Sequence, residues 1–335
     1  MRGAGYGIAV DIILPGLKAA DMSPLAFVTG AGGAIGGHVV RLLAASGWRV
    51  AGVGHGNAPP GVAAWIKGDV DGSNLGALAQ SCGLPAGIVH LAGGSSVGPS
   101  LAAPAEDFNR SVLSTVKLLD WLRLNARQVP LVLASSAAVY GDRHSEPIAE
   151  SAPRAPFSPY GYHKAMVEMA AECWAGNFAL NVAIVRLFSV YGPGLRKQLI
   201  WEMCARLKAG EREIVLGGTG CEARDWLFIA DAAAMLIAAL DLASPAAPIF
   251  NGCTGMATNV ADIARALIDA VDRSIALRFT GECRRGDPAY LVGRTELAAA
   301  SGLRAGTSVQ DGLARTLAAA RRELLLSDFD ANKAK

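Results

Sequence analysis

Residues 25–46 read LAFVTGAGGAIGGHVVRLLAAS, and the fold is decided by this stretch. LAFVT is a short unbroken apolar run, the pattern of a strand covered on both faces. Gly30, Gly33 and Gly36 follow at G-x-x-G-x-x-G spacing and lead straight into a helical period. Glycines here permit a tight turn, let the backbone approach a bound group, and let the helix pack closely on the strand. The unpaired N–H groups of the first helical turn then meet an anion such as a pyrophosphate. A flexible glycine-rich hairpin would leave the flanking periodicities unexplained. The stretch therefore predicts a dinucleotide site at Gly30, Gly33, Ala34, Ile35 and Gly36.

Outward from it the same alternation repeats. Apolar runs at 48–53, 62–69, 86–92, 129–136 and 180–188 read as strands, with a long helical segment from about 104 to 127. Continuously apolar strands alternating with helices imply an α/β fold with a doubly wound parallel sheet. After Phe188 come a helix at 199–209, the glycine-rich turn LGGTGCEARD and a helix at 229–243. The organisation expected is a dinucleotide-binding domain at 23–188, with a later contribution from about 222–256. A smaller C-terminal substrate lobe takes 189–221 and 257–327, and the polar tail 328–335 should fray. The apolar run in residues 1–22 is short and broken by Asp11 and Pro15. It reads as neither signal peptide nor membrane span, and Met22 is an alternative start. Those residues stay outside the fold argument.

Composition narrows the class. The 335 residues are 52% hydrophobic and 18% charged, which fits a well-packed enzyme rather than a disordered chain. A net charge of +2 is too small to point to nucleic acid or an anionic membrane as partner. Six scattered cysteines form no C-x-x-C and have no histidine at ligand spacing. Neither a disulfide framework nor a metal site is expected, and a reducing cytoplasm fits.

Cofactor choice stays open in the sequence. An acid at the end of the second strand would bind the adenosine ribose, but VAGVGHGNA puts Gly54 and His55 there. Nothing repels a 2′-phosphate and no arginine embraces one, so the cofactor is NAD or NADP. Asp69, closing the third strand, is expected near the adenine. His90, in IVHLAG, reads as a structural residue beside the cofactor.

The catalytic candidates lie in SPYGYHK, residues 158–164. Tyr160 and Lys164 at i and i+4 share one helix face. A free phenol, with a pKa near ~10, is a poor base, whereas an ammonium and a positive nicotinamide beside it would favour the phenolate. Such a phenolate can take a proton from a sugar hydroxyl while hydride leaves the same carbon. Ser135 and Ser136 end a strand where ligands gather in a doubly wound sheet. His163 lies between the pair in sequence, faces another side of the helix, and is given no chemical role.

The ordered set TGAGGAIG, HLAG, SSAAVYG, SPYGYHK, VRLFSVYGPG, RDWLFIADAA, FNGCTGMATNVADIA and RRGD resembles the extended short-chain dehydrogenase/reductase family. Within it the chain resembles the NAD-dependent epimerases and dehydratases of nucleotide sugars, over about residues 24–318. The resemblance implies that Tyr160 is the general acid/base, that Lys164 also holds the nicotinamide ribose, and that Ser136 orients the substrate. It implies Arg224 and Arg284 on a sugar-nucleotide diphosphate, with Ser135 and Ser189 nearby. It extends the cofactor site to Val70, Leu91, Ala92 and Gly93, and it implies a homodimer built through a helix bundle.

Departures narrow the member. Ala137 and Ala138 stand where dehydratases and decarboxylases carry an extra acid, which disfavours both activities. The remaining S-A-x-V-Y-G pattern is closer to UDP-glucose 4-epimerases. Ser189 and SVLST (111–115) shorten side chains that are usually asparagine in this family. Three readings result: a 4-epimerase passing hydride to NAD and back, an NADPH-dependent 4-keto-6-deoxy-sugar reductase, and a cofactor-binding regulator without activity.

Overall fold

The computed structural model describes residues 12–13, 23–282 and 287–333, with side-chain surroundings for 23–282 and 287–323; Arg284 lies outside the described residues. The central sheet begins with β1 (Ile12–Ile13), β2 (Leu25–Thr29), β3 (Arg49–Gly54), β4 (Ala64–Lys67), β5 (Gly87–His90), β6 (Leu131–Ser136) and β7 (Val182–Leu187). Strands β8 (Ser189–Tyr191), β9 (Glu213–Leu216) and β10 (Ala223–Phe228) leave it, and β11 (Ile249–Gly252) returns. Its order is β1-β4-β3-β2-β5-β6-β7-β11. From β4 to β11 every neighbouring pair is parallel. β1 runs antiparallel at the edge, with Ile12 opposite Ile66 and Ile13 opposite Trp65, so part of the N-terminal extension joins the sheet.

Helix α1 (Ala34–Ala45) follows β2, and α2 (Gly72–Cys82) follows β4. Between β5 and β6 come α3 (Val97–Ala102), α4 (Pro104–Phe108), a π-helical turn at Asn109–Leu113 and α5 (Ser114–Asn125). α6 (Pro159–Phe178) joins β6 to β7. The chain then passes through α7 (Gln198–Lys208), α8 (Ile229–Ala238), α9 (Val260–Asp269), α10 (Glu296–Ala300) and α11 (Val309–Lys333).

Strand period 2 splits the apolar runs between two layers. Leu25, Phe27, Leu131 and Leu133 pack with α2, α5 and α6 on one face. Ala26, Val28 and Val132 pack with α1 and α8 on the other. A third cluster under α7, α9 and α11 forms the core of the smaller lobe. There β10 pairs β8, a strand at Ala257–Asn259 and a strand at Tyr290–Leu291.

Several expectations are corrected in detail. The segment 222–256 divides, because α8 and β11 serve the central sheet while β10 belongs to the lobe. The helix expected over 104–127 is three pieces, broken at the π-helical turn. α2 was missed in the sequence because its start, GSN, is polar; Asp71 caps it by accepting from Asn74 N at 2.9 Å. α8 ends at Ala238 and continues as one 3₁₀ turn to Leu242. α11 runs to Lys333, past the fraying expected from residue 328.

The sheet order reverses beside β2, whose neighbours are β3 and β5. Ligands bind at the carboxyl ends of strands around such a point.

Candidate active site

The glycine loop turns at the end of β2. Gly30 has φ +67°, and a Cβ on it would lie 2.8 Å from Leu91 C and Ala92 N. A Cβ on Gly36 would fall 2.2 Å from Gly30 O, so only glycine lets α1 approach the turn. Gly33 is the N-cap of α1 and no side chain caps that end. The first-turn N–H groups, including those of Ala34, Ile35 and Gly36, are left for a ligand. The uncapped end and the cradle kept open by missing Cβ atoms fit a dinucleotide pyrophosphate.

Gly54 and His55 end β3 at the outer rim, where the His55 carbonyl lies 3.5 Å from the Cβ position of Gly32. There His55 Nε2 meets Asp69 Oδ1 at 3.1 Å, both side chains exposed. The carboxylate missing from the second strand thus arrives from the end of the third. Val70 beside it is buried.

At the inner end, Leu91, Ala92 and Gly93 follow β5. Leu91 N and Ala92 N donate to Thr29 Oγ1 at 3.2 and 3.3 Å. Thr29 Oγ1 lies 2.7 Å from His90 Nδ1, and His90 Nε2 lies 3.0 Å from Thr115 Oγ1. Thr115 spends its own hydrogen on Ser111 O at 2.6 Å, so it accepts from Nε2–H, and Thr29 donates to Nδ1. His90 is a neutral strut; burial, with Lys164 adding repulsion, pushes its pKa down to about 3.

Ser158 caps α6 by accepting from Gly161 N at 3.2 Å, with Pro159 in the first turn. A Cβ on Gly161 would lie 2.7 Å from Ala138 O, so this glycine lets α6 approach the loop after β6. Lys164 donates to Ala134 O at 3.0 Å, and its Nζ lies 5.9 Å from the Tyr160 ring centroid. The Cβ position of Gly93 is 3.7 Å from that Nζ, which ties the loop after β5 to α6. Burial lowers the Lys164 pKa to about 8, against the raising fields of Asp107 and Glu168.

Tyr160 stands one turn before Lys164 on α6. Burial raises its pKa, the Ser136 hydroxyl opposes that, and Asp107 adds to it. Asp107 is a residue that sequence reading missed. It is buried, and its Oδ2 lies 2.5 Å from His163 Nδ1. A Cβ on Gly94 would fall 1.7 Å from Asp107 Oδ1, so the loop after β5 closes directly over this pair. The G-G of HLAGG is the sequence signal that could have marked it. His163 is buried and tied to Asp107, the carboxylate whose charge also acts on Tyr160.

Ser136 and Ser135 part company, as neighbours on a strand must. Ser136 stays half-buried at the site, accepting from Ala138 N at 3.2 Å. Ser135 turns inward and donates to Glu168 Oε1 at 2.6 Å, which corrects its assignment to the substrate. Glu168 is also gripped by Arg186 at 2.7 and 2.9 Å and by Arg154 at 2.6 Å. Ser189 begins β8, half-buried, opposite Trp226. Arg224 is buried in the lobe, with Nη2 2.5 Å from Asp287 Oδ1 and Nη1 3.0 Å from Ala223 O. The structure thus brings together the glycine loop, Leu91–Gly93, Ser136, Tyr160 and Lys164, and it takes Ser135 out.

Comparison with known proteins agrees. The model of the NAD dependent epimerase/dehydratase family matches residues 26–251. A UDP-glucose 4-epimerase from Yersinia pestis is 32% identical over 255 residues, covering 68% of this chain and 74% of that protein. Among solved structures, MoeE5 in complex with UDP-glucose and NAD is 28% identical with a TM-score of 0.81, covering 89% of this chain and 99% of its own. TunA, an NAD-dependent NDP-hexosamine 5,6-dehydratase involved in tunicamycin biosynthesis, is also 28% identical. Its TM-score is 0.76, over 88% of this chain and 96% of its own.

Proposed function

The chain belongs to the NAD-dependent epimerase/dehydratase family, and on that premise we propose that it is a nucleotide-sugar 4-epimerase that keeps its NAD. The observation that carries the reading is the meeting of Ser136, Tyr160 and Lys164 beside Gly93. Ala137 and Ala138 offer no further proton carrier there. The similarity to the Yersinia UDP-glucose 4-epimerase and to MoeE5 supports a UDP-hexose as substrate. Asp69 beside His55 supports NAD over NADP, because a carboxylate there repels a 2′-phosphate.

When bound, the nicotinamide would supply the acceptor and donor of hydride and a positive charge at the site. Tyr160 takes the proton from the 4-hydroxyl and returns it once the sugar has turned. Ser136 holds the 4-oxygen in line and lowers the phenol pKa from its buried value. Lys164, anchored on Ala134 O, holds the ribose side of the cofactor. Arg224, when released from Asp287, and Arg284 suit the substrate diphosphate, since guanidinium forks match phosphate oxygens. Ser189 lies on the sugar side of this arrangement.

The second reading, an NADPH-dependent 4-keto-6-deoxy-sugar reductase, is favoured by the missing second-strand acid. Incubation with UDP-, GDP- and dTDP-sugars while following added NADPH separates the two. The epimerase interconverts C4 epimers without net NADPH loss, and NADPH consumption matched to product would overturn it. A catalytically silent regulator would show neither.

A homodimer is proposed as the working form. Tyr162, Met166 and Met169 are exposed at i, i+4 and i+7 on α6, with Leu113 and Leu124 exposed around α5. This apolar stripe suits a second copy of the same face. Among the described residues no helix is long and apolar enough to cross a membrane.

A further inference from the structure

The loop from Gly192 to Lys197 joins β8 to α7. At one end His38 Nε2, on α1, donates to Pro193 O at 3.1 Å. At the other end Lys197 Nζ lies 3.5 Å from Ser95 O, on the segment following Gly93 and Gly94. The loop is thus tied on one side to the helix whose open N-terminus faces the pyrophosphate position. On the other side it is tied to the segment that adjoins Lys164.

Lys197 is half-buried, and burial alone holds its ammonium below the ordinary value. Among the described residues it forms no ion pair with a carboxylate, and its charge reaches another cation, Lys164, which it pushes down. A partly desolvated ammonium beside a second ammonium is unfavourable until an anion arrives. The backbone at this point is strained as well. Lys197 is extended, with φ −160°, and Gln198 stands at φ +68° without being glycine. A left-handed residue of this kind is strained and persists where surroundings enforce it, often at a ligand clamp.

We propose that Lys197 is a cationic clasp on the cofactor pyrophosphate, closing on it from the side opposite the N–H groups of α1. Arg224 already offers the substrate diphosphate a guanidinium, so the ammonium beside the segment after Gly93 is assigned to the cofactor. Its consequence is retention. In a 4-epimerase the same NAD serves both hydride transfers and must not leave, so the clasp's purpose rests on the function proposed above, while its geometry does not.

The test uses the full chain stripped of nucleotide, with ADP-ribose as the probe. ADP-ribose carries the pyrophosphate, lacks nicotinamide and cannot react. Calorimetric titration should show Lys197→Ala weakening ADP-ribose by about 10- to 100-fold, as expected for a lost charge-assisted contact. Lys197→Arg should stay within about threefold of wild type. Adenosine and UDP-glucose affinities should not change, and NAD carried through gel filtration should fall for the alanine variant. ADP-ribose affinity within twofold of wild type would overturn the clasp. So would weakened UDP-glucose binding with ADP-ribose intact, which would move Lys197 to the substrate. If the alanine variant melts below the assay temperature, Lys197→Met gives the same readout. Because no turnover is read, a chain that binds ADP-ribose through Lys197 yet fails to interconvert 4-epimers would refute the proposed function and leave the clasp standing.

Discussion

Ser135 and Ser136 are chain neighbours whose hydroxyls serve different ends, one buried against Glu168 and one open at the site. Their substitutions should separate accordingly. Ser135→Ala loses a hydrogen bond to a charged group and should cost about 1.5–3 kcal/mol of stability with kcat nearly kept. Ser136→Ala should keep stability and lose kcat by about 100-fold or more, the scale of a positioned proton-transfer partner. Urea melts and steady-state rates on both variants check this, and equal kcat losses would contradict the geometry. Asp107 offers a second check, since its charge raises the Tyr160 pKa. Asp107→Asn should move the acid limb of the kcat–pH profile to lower pH, because the phenolate then forms more readily. A limb that stays in place or moves upward would show that Asp107 does not act on the phenol. The types of these residues were legible in the sequence. Asp107 was not, because its partner His163 is 56 positions away and the pair meets only where α4 packs on α6.

Whole elements followed their sequence signals where periodicity and glycine chemistry agreed. β2 and α1 were readable because an apolar run, three spaced glycines and a helical period gave one answer. α2 was hidden by a polar start and became a helix because Asp71 caps it and Leu75 and Leu78 bury against the sheet. β10 was not read as a strand, because its first residues close the glycine-rich LGGTGCEARD; its partners are β8 and two short lobe strands, a pairing no local pattern contains. α6 carries two messages at once. Its inner face bears Lys164 and Glu168, and its outer face bears Tyr162, Met166 and Met169. The outer face predicts that Met169→Glu sediments as a single chain with unchanged circular dichroism, while the wild type sediments as two. A monomeric wild type would show that the stripe has no second copy as its occupant.

At the scale of the molecule, buried ionisable groups set an acid limit. His90 is held neutral with its pKa pushed from 6.5 to about 3, so the unfolded chain takes up that proton first. Its contribution to stability is complete above pH 6.5 and declines as pH falls from there toward 3. Glu168, clamped by Arg186 and Ser135, sits below its ordinary 4.5 despite burial. Its contribution is present above 4.5 and is lost as pH falls through the folded value. Both act in one direction, so the urea midpoint should fall steadily between pH 6.5 and 4, and a flat midpoint there would contradict the assignment. In the proposed reaction hydride leaves C4 and returns to the same carbon from the other face. Mass spectrometry of product formed from UDP-glucose deuterated at C4 tests it most directly. The account predicts UDP-galactose that keeps the deuterium at C4 with no added NADPH consumed; product without the label, or formed only as NADPH is spent, would contradict it.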